Sequence, residues 1–130
     1  MKSSSLPLMI DAYRRLSEVT DFPLHLGVTE AGPPPVGTMK ATAGMATLLA
    51  EGIGDTIRYS LSADPVEEAR AGRQLLEILG LRARKNIDLI SCPSCGRAEI
   101  DVYKVAEDAL AAFADREIPL QIAVMGCVVN

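Results

Sequence analysis

Apolar and polar positions along this chain follow two alternating periods. Over residues 6–19, Met9, Ala12, Tyr13 and Leu16 return every three or four positions, with Arg14, Arg15 and Glu18 between them. That spacing predicts a helix with one buried face. Asp21-Phe22-Pro23 breaks it, and residues 23–28 then read as a short buried strand carrying His25, the one histidine. Gly32, three consecutive prolines and Gly37 make residues 29–37 a loop. Thr38 is placed to cap a second helix running to about Ala50, ended by Gly52 and Gly54. Residues 56–61 predict a strand. Asp64-Pro65-Val66-Glu67 combines a carboxylate cap, a proline at the first helical position and a glutamate three residues after the cap. A third helix is expected from there to Leu79, stopped by Gly80. Residues 87–90 predict a strand. Val102, Val105, Ala106, Ala109, Leu110 and Phe113 mark a helical face, and residues 120–124 predict a last strand.

Helix and strand thus alternate through the whole chain, an order that predicts an α/β fold with parallel strands and right-handed crossovers. The basic link Leu81-Arg82-Ala83-Arg84-Lys85-Asn86 between two apolar segments marks the expected domain boundary. In such folds the loops leaving the carboxyl ends of the strands lie along one edge, where sites form. Those loops would carry Thr29 and Glu30 after the first strand, Arg58, Ser60 and Ser62 at the second, Cys92 and Cys95 after the third, and Cys127 after the fourth. A strand-helix-strand unit therefore returns Cys127 to the Cys-x-x-Cys pair, despite their separation in sequence.

The 130 residues are 48% hydrophobic, which suits a packed domain and excludes disorder. A net charge of -4 lacks the electrostatic footprint of a nucleic-acid binder. No run reaches the roughly 18 apolar residues of a membrane helix. Met1-Lys2-Ser3-Ser4-Ser5 is not followed by the apolar core of a secretory signal. Three cysteines, an odd count, favour a reducing compartment and a metal or redox role over a disulfide scaffold.

On pattern alone the thiols leave four readings open: structural zinc, for which no fourth ligand is evident; a thioredoxin-like dithiol, which leaves Cys127 unused; Cys127 as a buried small residue with Cys92 and Cys95 an incidental pair; and an iron–sulfur cluster with one iron left for another ligand or for substrate. Glu30 is either a solvated loop carboxylate or a proton donor or acceptor at the mouth of the fold. Arg58 and Ser60 alternate and so share a strand face, where an inward arginine would need an anion. Lys40, one turn into its helix, reads as a phosphate contact or, more commonly, a surface lysine.

Several of these residues occur together in one known family. Pro23-Leu24-His25-Leu26-Gly27-Val28-Thr29-Glu30-Ala31-Gly32 resembles the seventh barrel strand and loop of the 4-hydroxy-3-methylbut-2-enyl diphosphate synthases. The segment from Glu51-Gly52-Ile53-Gly54-Asp55-Thr56-Ile57-Arg58 to Asp64-Pro65-Val66-Glu67-Glu68 resembles the eighth strand and the helix after it. Cys92-Pro93-Ser94-Cys95-Gly96-Arg97 and Gly126-Cys127-Val128-Val129-Asn130 are similar to the two cluster motifs. The resemblance covers nearly the whole chain, in order and with matching spacings.

The resemblance implies the last strands and helices of a TIM-type barrel over residues 1–84 and part of an α/β iron–sulfur domain over residues 85–130. It implies a reductive enzyme of the non-mevalonate isoprenoid pathway. Such an enzyme converts 2-C-methyl-D-erythritol 2,4-cyclodiphosphate to 4-hydroxy-3-methylbut-2-enyl diphosphate. Two electrons from ferredoxin or flavodoxin pass through a 4Fe-4S cluster. Cys92, Cys95 and Cys127 would hold the cluster, Glu30 would serve as proton donor, and Lys2, Arg58 and Ser60 would contact the diphosphate. The family works as a homodimer, in the bacterial cytoplasm or the plastid stroma. Its fourth cluster ligand, a glutamate a few residues past the last cysteine, would fall beyond Asn130. Its first five barrel strands have no counterpart here, and the proline-rich loop departs from its usual pattern. The expectation is a piece that is inactive alone, against the alternative of a standalone iron–sulfur or zinc module without catalysis.

Overall fold

A computed structural model describes residues 3–114 and 116–128; Lys2 lies outside the described residues. The chain divides into two compact units, Met1–Arg82 and Ala83–Asn130.

The first unit holds α1 (Leu6–Val19), β1 (His25–Leu26), α2 (Val36–Ala50), β2 (Thr56–Ile57) and α3 (Pro65–Ile78). The two strands pair in parallel, His25 opposite Thr56 and Leu26 opposite Ile57. Alternation turns Leu26 and Val28 inward, both fully buried. They meet Met9 and Tyr13 from α1, Ala41, Met45 and Leu48 from α2, Leu75 from α3, and Tyr59. His25 points the other way. It is exposed, with Nδ1 2.7 Å from Thr56 Oγ1 across the strand pair. The expected burial of this strand therefore holds for Leu26, Gly27 and Val28 and fails for His25, because the helices cover only one face of the sheet.

The first two strands are shorter than expected, His25–Leu26 within residues 23–28 and Thr56–Ile57 within residues 56–61, and one helix start and one cap also differ for local reasons. α2 begins at Val36, with Pro35 at its cap, so Thr38 lies inside the helix rather than capping it. The helical turn already winds at the prolines, whose carbonyls take the N–H groups of Gly37 (2.8 Å, from Pro33) and Met39 (3.0 Å, from Pro35). Proline suits a first turn, where its missing N–H has no partner to lose. In α3 the Asp64 carboxylate accepts the Val66 N–H at 2.8 Å, but Glu67 pairs with Arg70 instead of closing a capping box. Gly80 follows the helix with φ +70°, as a glycine stop requires.

The second unit is a strand-helix-strand of β3 (Asp88–Ser91), α4 (Val102–Phe113) and β4 (Gln121–Val124), its strands parallel from Asp88–Gln121 to Ser91–Val124. Asp101 caps α4 by accepting the Lys104 N–H at 3.1 Å. Of the predicted helical face only Val102 is buried; Val105 and Leu110 remain 40% and 50% exposed. Two strands are too narrow to cover that whole face.

Candidate functional site

In the second unit the ladder extends one residue past β3, the Cys92 N–H reaching the Val124 carbonyl at 3.1 Å. This places the Cys92–Cys95 turn beside the end of β4. The Glu99 N–H to Gly126 carbonyl bond, 2.8 Å, closes the other side. Gly126 has no room for a side chain: a Cβ there would meet Val102 Cγ2 at 2.5 Å. The start of α4 thus packs against the backbone that carries Cys127.

The result is a cavity of about 200 Å³ lined by Cys92, Ser94, Cys95, Arg97, Gly126 and Cys127, among others. All three cysteines are free thiols. Cys95 is held below the ordinary thiol range, first by the backbone N–H of Arg97, then by its guanidinium, with the Ala98 N–H adding to both. That lowering, which desolvation opposes, favours the thiolate, the form that binds metals. Among the described residues no group of three or more His, Cys, Asp or Glu is arranged to hold a metal ion. A single zinc ion needs its sulfurs about 2.3 Å from one point. In a cluster each thiolate binds its own iron, so the sulfurs stand further apart around a common volume. The three thiols line one cavity.

In the first unit the loops after β1 and β2 are tied together beyond the strands. The Ala31 N–H donates to the Ser60 carbonyl and the Ser62 N–H to the Gly32 carbonyl, each at 3.1 Å. Glu30 and Ser60 are therefore brought to the same strand ends. Glu30 is exposed, Ser60 half-buried. The Ser3 carbonyl accepts the Thr29 N–H at 3.0 Å on the other side of the loop. Arg58 stands beside Gly27, whose missing side chain leaves room for it: a Cβ at Gly27 would lie 3.7 Å from Arg58 Nε. Burial pushes the Tyr13 phenol up, with the Arg58 charge pulling against it. Arg58 also lines a cavity of about 370 Å³ along β2 and α3, with Glu68 and Arg73. Lys40 sits half-buried in α2.

Among the described residues, two that are not glycine have positive φ: Glu30 at 54° and Ser94 at 64°. One lies in each candidate loop. Sequence reasoning missed Arg97 as the neighbour of Cys95 and Glu68 as the partner of Leu61, whose N–H reaches Glu68 Oε1 at 2.6 Å. Arg97 could have been suspected from its place two residues past a cysteine. For Glu68 the partner is a backbone amide, which has no sequence signature.

Residues 1–73 match a family model described as the GcpE TIM-barrel domain, and residues 88–130 one described as the GcpE protein C-terminal domain. The chain belongs to the GcpE family. Over all 130 residues it is 58% identical to a 4-hydroxy-3-methylbut-2-en-1-yl diphosphate synthase (flavodoxin) of Corynebacterium glutamicum, covering 34% of that protein. A similarly named protein of Streptomyces avermitilis is 57% identical, with 34% of it covered. One from Symbiobacterium thermophilum is 58% identical, with 35% covered. The chain spans about a third of the length of the curated relatives it matches. Among the described residues no helix is long and apolar enough to cross a membrane. The two family matches fall one in each unit.

Proposed function

We propose that this chain forms part of a reductive 4-hydroxy-3-methylbut-2-enyl diphosphate synthase. Residues 1–84 would supply the last strands and helices of its barrel and residues 85–130 the start of its iron–sulfur domain. The observation that carries the reading is the convergence of Cys92, Cys95 and Cys127 on one cavity. The donor set fits a 4Fe-4S cluster with one iron not bound by cysteine. When bound, the cluster would pass electrons singly to the substrate, which two electrons and two protons convert to an open-chain diphosphate and water.

The chain's own residues supply binding and protons. Arg58 presents a planar fork of donors suited to a diphosphate, and Ser60 a hydroxyl at the adjoining strand end. Lys2 joins them by the family resemblance. Glu30, exposed at the strand ends, can deliver a proton from its carboxyl oxygen to a departing hydroxyl. The relatives' names point to flavodoxin as electron donor, with ferredoxin the alternative. The whole enzyme would work in the cytoplasm as a homodimer on the cyclic diphosphate.

Anaerobic reconstitution with iron and sulfide tests the reading. The expected result is about four irons and four sulfides per chain, with broad absorbance near roughly 400 nm that dithionite bleaches. Cys92→Ser, Cys95→Ser and Cys127→Ser should each lose most of it. One tightly held zinc per chain, with no visible absorbance, would overturn the proposal.

A further inference from the structure

We propose that Glu68 is a positioning residue that holds the Ser60 loop in place against Glu30; this rests on the diphosphate reading above and deepens it. Along an extended segment, successive backbone groups point to opposite sides. The Ser60 carbonyl and the Ser62 N–H both face the β1 loop, where they bond Ala31 and Gly32 at 3.1 Å. The Leu61 N–H between them must face away, toward the side on which β2 has no strand partner among the described residues. There Glu68, in α3, accepts it through Oε1 at 2.6 Å.

The loop is thus pinned from both sides, by backbone toward Glu30 and by one carboxylate toward α3. Glu68 has no ion-pair partner among the described residues, whereas its neighbour Glu67 is spent on Arg70. Asp64, at the start of the same helix, accepts the Val66 N–H at 2.8 Å, so the helix that offers Glu68 is itself fixed to the end of this loop. Removing the Glu68 carboxylate would free Leu61, then the Ser60–Ala31 bond next to it, and with that bond the backbone adjoining Glu30. Ser60 and Glu30 would each keep their side chains and lose their alignment.

Amide exchange by NMR on the whole chain, with its affinity for inorganic pyrophosphate, tests this in Glu68→Ala and Glu68→Gln. Glu68→Ala should speed exchange at Leu61 and Ala31 about tenfold and weaken pyrophosphate about fivefold, the loss of one ordinary hydrogen bond. Met45 and Leu48 should keep their rates. Glu68→Gln keeps an oxygen acceptor and should restore both readouts. Unchanged exchange at Ala31 in Glu68→Ala overturns the proposal, as does an equal rise at Met45 and Leu48, which would make Glu68 a support of overall stability only. Absence of pyrophosphate binding by the unsubstituted chain overturns the diphosphate reading instead; the Leu61 and Ala31 rates then still decide whether Glu68 holds the loop.

Discussion

Gly37 shows how one missing side chain sets a loop. A Cβ there would stand 2.2 Å from the Gly32 carbonyl oxygen, a backbone atom that cannot swing aside. Gly37→Ala should destabilise the first unit by about 1–3 kcal/mol, read in urea unfolding, because α2 and the Glu30 loop must part. Charge acts at the same scale. Arg14 grips Glu51 through Nε at 2.8 Å and Nη2 at 2.5 Å. That hydrogen bond outweighs the opposing desolvation and, with a smaller contribution from the opposite charge, holds the Glu51 carboxyl below its ordinary 4.5. A depressed carboxylate stabilises the fold above the unfolded value, and the effect is lost as pH falls through the folded value. Unfolding midpoints measured from pH 6 down to about pH 3 should therefore drop more steeply in the natural chain than in Glu51→Gln. The contrast should fade in high salt, since the pair is exposed.

Elements whose signals are local were legible from sequence. Leu6–Val19 is a helix because its apolar period is unbroken, and Pro65–Ile78 because cap, proline and terminal glycine agree. Asp64→Ala should cost about 1 kcal/mol in urea unfolding, a typical cap loss. Features that depend on a competing partner were not legible. Thr38 lost the cap to a turn already wound at Pro35, and Glu67 went to Arg70. The exposure of His25 depends on which sheet face the helices cover, and that is decided by packing rather than by period. The site divides in the same way. Strand order alone places three thiols at one end of the second unit, and they line one cavity there. The Glu68–Leu61 bond could not be read, since any carboxylate in that turn of the helix would look the same on paper.

At the scale of the molecule, a chain spanning about a third of its relatives should bind iron and sulfide yet make no product. Incubation with the cyclic diphosphate and reduced flavodoxin checks this, and detectable open-chain diphosphate would sink it. The left-handed backbone of Glu30 and Ser94 bears on the chain as a whole in another way. Glycine adopts φ near +60° without the steric cost a side chain meets, so Glu30→Gly and Ser94→Gly should each raise stability by about 0.5–1 kcal/mol after glycine's greater unfolded freedom is counted. Thermal melts of the two variants measure it. Laboratory evolution for heat endurance alone would then drift toward glycine at both positions. The drift would alter the wall of the three-cysteine cavity at Ser94 and would delete the proposed proton donor at Glu30, so durability and the proposed chemistry would pull the same codons in opposite directions.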